Sequence, residues 1–325
     1  QGAQSSSSRN RGIGRYTNAL TLGIVQLARQ KHELIIALNG QFDEAIDEVK
    51  KRLAGLIEPG NFRVWQPPAH GQISTAAGRR ATGKLYEAFL ASLQPDVVLI
   101  ASLFEGLSDA AVTSVGTFAR MRIATVLYDL IPLINAKPYL DNETVREWYL
   151  RKIAALRRAD MWFAISESSR QEGIRYLGLD PERCINVSTA ADPQFRVEAV
   201  STEREQELRN RHGLRRPFVM YTGGIDLRKN IEGLIRAFAL LPAKLRSEFQ
   251  LAIVCSARSQ DKQALLDLAR NVGLDEGDVV VTGFVPDDEL VTLYNLCHLF
   301  VFPSWHEGFG LPAVEAMIWG AVVLG

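Results

Sequence analysis

The 325-residue sequence contains few cysteines and no excess of charge of either sign. Its three cysteines, Cys184, Cys255 and Cys297, are far apart and fit neither a disulfide framework nor a zinc pattern. Lys plus Arg and Asp plus Glu number 37 each, so no overall field favours nucleic acid or an acidic partner. The five histidines are scattered along the chain and predict no metal site.

Long apolar runs are also absent, since no segment approaches the roughly 20 residues that a membrane-spanning helix needs. The sequence therefore predicts no integral membrane segment, and the few cysteines favour a reducing cytoplasm. One basic segment, residues 151–158, carries four cations: Arg151, Lys152, Arg157 and Arg158. This segment either contacts anionic lipid at the inner face of a membrane or is an ordinary solvated helix face.

Strand and helix patterns alternate along most of the chain. Strands are predicted at residues 32–38, 62–65, 95–101, 122–128, 161–165, 218–221, 250–254, 279–282 and 299–302. Helices are predicted between them, including 42–56, 84–93, 109–120 and 144–158. This alternation is typical of an α/β protein with mostly parallel sheets covered on both faces. The polar stretch 201–216 predicts a boundary between an N-terminal domain at 1–200 and a C-terminal domain at 201–325.

The segment that follows the strand at 299–302 combines a glycine turn with a helix start. Gly308 and Gly310 allow the backbone to turn sharply and to approach a ligand closely. Pro312 suits the first turn of a helix, whose N-terminus favours anionic or oxygen-rich ligands. The pattern therefore predicts a ligand site at this strand end.

Two carboxylates eight residues apart, Glu307 and Glu315, flank this turn. Taken singly, Glu307 could be a solvated loop residue, and Glu315 could complement the helix dipole in a first turn without any ligand. Their meaning depends on the motifs elsewhere in the chain.

A second glycine turn follows the predicted strand at 218–221. Gly223 and Gly224 precede the adjacent cations Arg228 and Lys229, and helical periodicity begins directly afterwards. Arg can bind two oxygens of a diphosphate at once, and Lys adds a point charge. The alternative is a solvated basic turn.

Two weaker signals lie in the N-terminal half. Gly12, Gly14 and Arg15 form a short glycine motif before a helical pattern, which by itself could be a tight turn that caps a helix. Asp129 follows the predicted strand at 122–128, where ligands of open α/β sheets bind, but it could also be a helix cap or a turn residue.

Together these motifs resemble those of the retaining glycosyltransferases of family 4, in which a glycine loop, a Gly-Gly/Arg-Lys-Asn segment and a Glu-x7-Glu motif occur in this order. The resemblance implies the GT-B fold, in which two Rossmann-like domains face each other across a cleft. It implies that the domain at 1–200 is the acceptor-side domain and that the domain at 201–325, which is incomplete, binds the nucleotide-sugar donor. It also implies that this chain is truncated at both ends, because family members begin with a further strand and continue beyond residue 325.

The resemblance also implies roles for individual residues. Arg228 and Lys229 would offset charge on the leaving diphosphate, Glu307 would lie at the donor sugar, and Glu315 would bind the ribose hydroxyls. Asp129 joins the catalytic candidates, although Tyr128 stands where many family members have His. The other donor-binding candidates are Gly12, Gly14, Arg15, Gly223, Gly224, Gly308, Phe309, Gly310 and Leu311.

Within the family, the motifs are most similar to those of bacterial mannosyltransferases that build surface polysaccharides. The implied reaction moves mannose from GDP-mannose, the substrate, to a glycan or lipid-linked acceptor, without a metal or other cofactor. Two alternatives stay open: a nucleotide-sugar epimerase of the same architecture that acts without an acceptor, and a nucleotide-binding module without turnover.

Overall fold

The computed structural model describes residues 2–5, 8–9, 12–68, 75–109, 111–116, 121–190 and 200–325. The chain divides into two compact units, Gln1–Thr189 and Ala190–Gly325, called here the N-terminal and C-terminal units. Among the described residues, all strand pairs of both units are parallel. Both units are therefore α/β structures, as the alternating pattern predicts.

The N-terminal unit alternates strands and helices throughout its described length. Its elements are α1 (Gly12–Ala28), β1 (Ile36–Asn39), α2 (Asp43–Arg52), a 3-10 turn (Pro59–Asn61), β2 (Phe62–Trp65), α3 (Ala76–Ser92), β3 (Val98–Ile100), β4 (Ile123–Leu127), α4 (Ile131–Ile134), α5 (Ala136–Tyr139), α6 (Glu143–Leu156), β5 (Met161–Ala164), α7 (Glu167–Leu177) and β6 (Cys184–Asn186).

Two sheets form the centre of this unit. Strand β1 pairs with β2, and the other four strands follow the order β3-β4-β5-β6. All five residues of β4 are buried, as expected for an inner strand of a sheet covered on both faces. Helix α7 packs beside β4 and β5; it begins at the N-cap Ser166, whose hydroxyl accepts a hydrogen bond from the Ser169 amide, and ends at Gly178 with φ 67°.

The C-terminal unit repeats the same alternation. Its elements are α8 (Thr202–His212), β7 (Phe218–Thr222), a 3-10 turn (Leu227–Lys229), α9 (Ile231–Ala239), α10 (Ala243–Glu248), β8 (Gln250–Val254), α11 (Ser259–Asn271), β9 (Val279–Val281), α12 (Asp287–Leu296), β10 (Leu299–Val301), α13 (Leu311–Ile318) and β11 (Val323–Leu324).

The five strands of this unit form one sheet in the order β11-β10-β7-β8-β9. Successive residues of β7 face opposite sides, because side chains alternate along a strand. Tyr221 packs in the core that contains residues of α9 and α11, whereas Phe218 and Met220 pack in the core that contains residues of α12 and α13. The sheet is thus covered by helices on both faces.

Each of the nine strands predicted from the sequence is present, with ends that differ by a few residues. The helix predicted at 109–120 is wrong, because residues 111–116 are not helical; residues 110 and 117–120 lie outside the described residues. Here Val112, Thr113 and Val115 are β-branched, and Gly116 has φ 55°. The Thr113 hydroxyl also donates to the Leu103 carbonyl at 2.6 Å, which holds the segment against the end of β3.

The polar stretch at 201–216, expected only to separate two domains, contains the helix α8. Its single buried position is Leu208, and the polar face carries the contacts to α12. Arg211 and His212 both contact the buried Glu289 on that helix, with His212 Nε2 2.8 Å from Glu289 Oε2. The apolar pattern was too sparse to reveal this helix.

Three of the four cations of the basic segment 151–158 donate hydrogen bonds to other groups of the protein. Lys152 Nζ donates to Thr113 Oγ1 at 2.5 Å, and burial lowers the pKa of Lys152 to about 7. Arg158 Nε donates to the Val115 carbonyl at 2.8 Å, and Arg157 donates to the Tyr176 carbonyl at 3.4 Å. Among the described residues, no helix is long and apolar enough to cross a membrane.

The short glycine motif near the N-terminus is not a loop, because Gly12, Gly14 and Arg15 form the first turn of α1. Gly14 is buried against the preceding turn, where its amide donates to the Ser8 carbonyl at 3.1 Å. A Cβ atom at Gly14 would lie 2.5 Å from the Arg9 Cα. Glycine is needed here for close backbone approach.

Gly14→Ala is expected to destabilise the protein by about 1–3 kcal/mol, because the added methyl group has no room against backbone atoms. Gly23→Ala in the same helix is the matched control: a Cβ there meets nothing within 4 Å, and alanine favours the helix by about 0.5–1 kcal/mol. Thermal or urea unfolding of both variants measures the difference. Equal stabilities would contradict this account of Gly14.

Candidate active site

The candidate site of the C-terminal unit lies at the carboxyl ends of β7 and β10. These strands are adjacent and parallel, with Val219 opposite Leu299 and Met220 opposite Phe300. From β7 the chain adds β8 and β9 on one side and then returns with β10 on the other, so the strand order reverses between β7 and β10. Open α/β sheets bind ligands at such a reversal, outside the carboxyl ends.

The turn after β7 is shaped by close contacts of its glycines. The Tyr221 hydroxyl donates to the Gly224 carbonyl at 3.0 Å, and a Cβ atom at Gly223 would lie 2.7 Å from that hydroxyl oxygen. Asp226 then caps the short 3-10 turn, since its Oδ1 accepts from the Arg228 amide at 3.1 Å. Arg228 and Lys229 are thereby fixed at the end of this turn.

Two hydrogen bonds tie this turn to the loop after β10. The Trp305 amide donates to the Arg228 carbonyl at 2.8 Å. Asn230, in the left-handed region with φ 53°, donates from Nδ2 to the Pro303 carbonyl at 3.2 Å. Asparagine is one of the few residues with a side chain that tolerates this backbone conformation. The two loops therefore have a fixed relative position.

Glu307 is bound by both cations. Arg228 Nη1 lies 2.6 Å from Glu307 Oε2, and Lys229 Nζ lies 2.5 Å from Glu307 Oε1. Arg228 Nη1 also donates to the His306 carbonyl at 3.0 Å. The side chains of Lys229, Glu307 and Arg228 are only 11%, 17% and 24% exposed, so water screens these ion pairs weakly.

The electrostatic environment keeps Glu307 ionised. Burial by itself raises the pKa of Glu307, but the charge and hydrogen bond of Lys229 and the charge of Arg228 outweigh burial. The pKa therefore lies below its ordinary value of 4.5. The three side chains are here called the ion trio and carry a net charge of about +1 at neutral pH. Asp226 Oδ1, 3.7 Å from Arg228 Nε, is a second carboxylate beside Arg228.

The glycine turn after Glu307 leads into α13. Gly310 has φ 97°, and a Cβ atom there would lie 3.2 Å from the Phe302 ring. Leu311 and Pro312 begin the helix, as predicted from the proline. The segment from Gly308 through Phe309 to Leu311 thus forms the helix N-terminus beside the ion trio.

A residue that complements the helix dipole is expected in the first turn of α13. Glu315 does not lie in that turn. It is buried in the second turn, where its Oε2 accepts a hydrogen bond from the Tyr294 hydroxyl at 3.0 Å. The two carboxylates of the Glu-x7-Glu motif therefore have different surroundings. Glu307 pairs with cations, whereas Glu315 is bound by a buried tyrosine of α12.

The candidates of the N-terminal unit lie where α1 meets the ends of β3 and β4. The Tyr128 hydroxyl donates to the Ala101 carbonyl at 2.9 Å and lies 3.4 Å from Thr17 Oγ1. The rings of Tyr128 and Tyr16 pack edge to face with centroids 5.5 Å apart. Tyr128, which stands where many family members have His, therefore contacts α1 and helps to position it.

Asp129 acts as a turn residue. Its Oδ1 accepts from the Ile131 amide at 3.1 Å, at the start of α4. The hydrogen bond supports the alternative that Asp129 is a turn residue. A catalytic role for Asp129 stays a prediction. The roles of Gly12 and Arg15 in donor binding are also predictions, and both residues are exposed in the first turn of α1.

Three residues that shape the site of the C-terminal unit were not among the predicted site residues. Asp226 caps the turn that carries the cations, Asn230 joins the two loops, and Tyr294 binds Glu315. Asp226 and Asn230 flank the Arg-Lys pair in the sequence, so their capping chemistry could have been recognised. Tyr294 gave no signal, because it lies in a different helix.

Comparison with known proteins shows which proteins this chain resembles. Residues 203–325, most of the C-terminal unit, match the family of glycosyl transferases group 1. The chain is similar to the serotype-specific mannosyltransferase WbdA of Escherichia coli: one such protein is 38% identical over all of this chain and 39% of its own length. A second protein of that name is 37% identical over 91% of this chain and 37% of its own length. The resemblance to glycosyltransferases is therefore confirmed.

Solved structures show the same fold. HepE of Anabaena, crystallised with UDP and glucose, matches with a TM-score of 0.62 and 18% identity over 94% of this chain and 76% of that chain. WaaG, described as a glycosyltransferase involved in lipopolysaccharide biosynthesis, matches with a TM-score of 0.61 over 96% of this chain and 76% of that chain. These neighbours are GT-B glycosyltransferases, so the predicted GT-B fold class is confirmed. The chain spans about two fifths of the length of the WbdA proteins.

Glu307→Gln is expected to lower the free energy of unfolding at neutral pH by about 1–3 kcal/mol, because both cations lose a charged partner. Since the folded-state pKa of Glu307 is lowered, its contribution is fully present above pH 4.5 and is lost as the pH falls through the folded-state value. The difference from the wild type should therefore shrink well below pH 4.5.

Urea unfolding at several pH values measures this effect. Glu276→Gln, which changes an exposed carboxylate in the turn before β9, is the matched control and should show little difference at any pH. A difference for Glu307→Gln that stays constant down to the most acidic condition would show that the ion pairs do not stabilise the site.

Tyr294→Phe is expected to cost about 0.5–1.5 kcal/mol of stability, because the buried Glu315 loses a hydrogen bond while the ring is kept. Tyr176→Phe is the control, since Tyr176 is 40% exposed at the surface of α7. Thermal unfolding compares the two variants, and an equal effect would contradict the proposed importance of the Tyr294–Glu315 contact.

Proposed function

We propose that this chain is part of a retaining glycosyltransferase that moves mannose from GDP-mannose to a glycan acceptor in polysaccharide biosynthesis. The observation that carries the proposal is the ion trio of Arg228, Lys229 and Glu307, which lies within the family-matched residues 203–325 at the strand-order reversal. The E. coli relatives are named mannosyltransferases, which supports mannose as the sugar. The choice of GDP follows from the motif resemblance.

In the proposed reaction, the bond between the sugar C1 and the diphosphate oxygen breaks, and the diphosphate leaves with the electron pair. The acceptor hydroxyl oxygen forms the new bond to C1, and its proton passes to a diphosphate oxygen. Arg228 and Lys229 offset the charge that develops on the leaving group. Fixed cations are effective because they need no reorganisation as the charge develops.

Glu307 has a second part in the proposal. Before the donor binds, its carboxylate is the partner of both cations. A bound diphosphate supplies anionic oxygens that replace the carboxylate as their partner, which leaves Glu307 to accept hydrogen bonds from hydroxyls of the donor sugar. Glu307 therefore compensates the charge of two poorly exposed cations in the free protein and contacts the sugar in the complex.

The other candidates complete the donor site. The backbone amides of Gly308–Leu311 would bind sugar hydroxyls at the N-terminus of α13, Glu315 would bind the ribose, and Gly223 and Gly224 would line the diphosphate. For Gly12, Gly14 and Arg15 a role in donor binding, and for Asp129 a role in catalysis, are proposed on the motif resemblance alone. The two cations supply the positive charge, so the proposed mechanism uses no metal or other cofactor.

A lipid-linked acceptor and contact with the inner face of a membrane are further parts of the proposal. Their support is the named polysaccharide chemistry of the neighbour WaaG and the motif resemblance. The basic segment 151–158 does not support them, because Lys152, Arg157 and Arg158 donate to Thr113 and to backbone carbonyls.

Arg228→Ala and Lys229→Ala are each expected to lower the rate of sugar transfer by about 10²–10³-fold, because each removes a cation at the leaving group. Glu307→Ala should also abolish most transfer. Arg270→Ala is the matched control, since Arg270 is 64% exposed on α11 and pairs with Asp267 on the same helix. The measurement is transfer of labelled mannose from GDP-mannose to a mannose oligosaccharide, with release of GDP followed in parallel.

Acceptor-dependent transfer that is lost in the three variants and kept in Arg270→Ala supports the proposal. A change of the sugar nucleotide without any acceptor would instead identify an epimerase. Binding of GDP-mannose without turnover by the wild-type protein would identify a binding module. Transfer from UDP-glucose in place of GDP-mannose would overturn the donor assignment while keeping the reaction class.

A further inference from the structure

Trp305 is an exposed aromatic residue beside the ion trio. It lies two residues before Glu307 in the loop after β10, and 68% of the surface of the residue is exposed. Its amide donates to the Arg228 carbonyl at 2.8 Å, so the backbone at this position is fixed. Within the described part of the chain, the indole ring makes no hydrogen bond or ring contact. An indole exposed to this extent is uncommon, because tryptophan is usually buried for most of its surface.

The two loops that the Trp305 amide joins carry both apolar and charged residues. Ile225 and Leu227 of the glycine turn are 37% and 64% exposed. Because the Trp305 amide bonds to the residue after Leu227, these apolar side chains belong to the same part of the surface. Arg228, whose carbonyl accepts this hydrogen bond, is itself a member of the ion trio.

Exposure rises from the ion trio outward. Lys229 and Glu307 have side chains that are 11% and 17% exposed, whereas Trp305 is 68% exposed. The diphosphate and the donor sugar need the cations and Glu307, so they take the buried positions. The indole is open to solvent and so is accessible to a second substrate.

We infer that Trp305 is a platform on which a sugar ring of the acceptor glycan stacks. This inference rests on the proposed function. One face of a pyranose such as mannose presents several C–H groups, and an indole offers a flat apolar surface with a slightly negative face for them. A tryptophan also has only two rotatable side-chain bonds, so it contributes contact area at low cost in conformational entropy.

This role makes Trp305 a positioning residue for the acceptor. The ring that stacks on the indole holds the glycan so that a hydroxyl can reach the donor sugar beside Glu307. Its loss should raise the acceptor concentration needed for half-maximal rate, while binding of the donor nucleotide stays the same.

A direct test follows the indole N–H signals of the protein labelled with ¹⁵N at tryptophan. The sequence has five tryptophans, and Trp305→Phe removes the signal of Trp305 and so identifies it. The protein is titrated with α-linked mannobiose, with sorbitol at the same concentrations as a polyol without a ring, and separately with GDP-mannose. The expected result is a saturable shift of the Trp305 signal with mannobiose and none with sorbitol.

The kinetic test compares Trp305→Ala, Trp305→Phe and Leu240→Ala. Trp305→Ala should raise the KM for the mannose acceptor about two- to tenfold, the size of one aromatic contact, without changing the KM for GDP-mannose. Trp305→Phe should restore most of the acceptor affinity. Leu240→Ala changes a residue that is 87% exposed at the end of α9, and it should leave both KM values unchanged.

No shift of the Trp305 signal with mannobiose, or a shift with GDP-mannose alone, would overturn the inference. An effect of Trp305→Ala on the donor KM alone would do the same and would place the donor sugar on the indole. A mannobiose shift in a protein that shows no sugar transfer would contradict the proposed function while supporting the sugar platform. The two ideas therefore fail separately.

Discussion

The contact of Glu307 with Arg228 and Lys229 is the interaction on which the candidate site depends. Two cations with side chains less than a quarter exposed would repel each other and lose hydration without a nearby anion. Glu307 compensates both of them with one oxygen each. The surrounding backbone is arranged to keep this geometry: Asp226 caps the turn that carries the cations, and Asn230 ties it to the loop that carries the carboxylate.

The topology of the C-terminal sheet explains why residues 79 positions apart in the chain meet. Strands β8 and β9 extend the sheet on one side of β7, and β10 is then placed on the other side. The loops after β7 and β10 therefore emerge side by side, where the strand order reverses. Glycines at Gly223 and Gly310 let these loops pass close to the rings of Tyr221 and Phe302. The result is a compact polar site at the edge of an apolar sheet.

The N-terminal unit uses its strand ends in a different way. Tyr128 holds the end of β4 to the end of β3 and to α1, and Gly14 allows the preceding turn to pack on that helix. Asp129 supports the start of α4. These contacts fix the first turn of α1, which carries Gly12 and Arg15. The candidate site residues of the N-terminal unit are thus held by local packing and turn hydrogen bonds. Those of the C-terminal unit are held by ion pairs.

The sequence by itself determined the α/β class, nine strands, the two glycine turns and the identity of the residues in the ion trio, because strand periodicity and turn chemistry are local properties. It did not determine that Arg228, Lys229 and Glu307 pair with one another, that Glu315 is bound by Tyr294, or that the motif at Gly12 is helical. It also wrongly predicted a helix at 109–120, where β-branched residues pack against a strand end. Such contacts depend on strand order and helix packing, which only the tertiary structure decides, since they join residues that are distant in the chain.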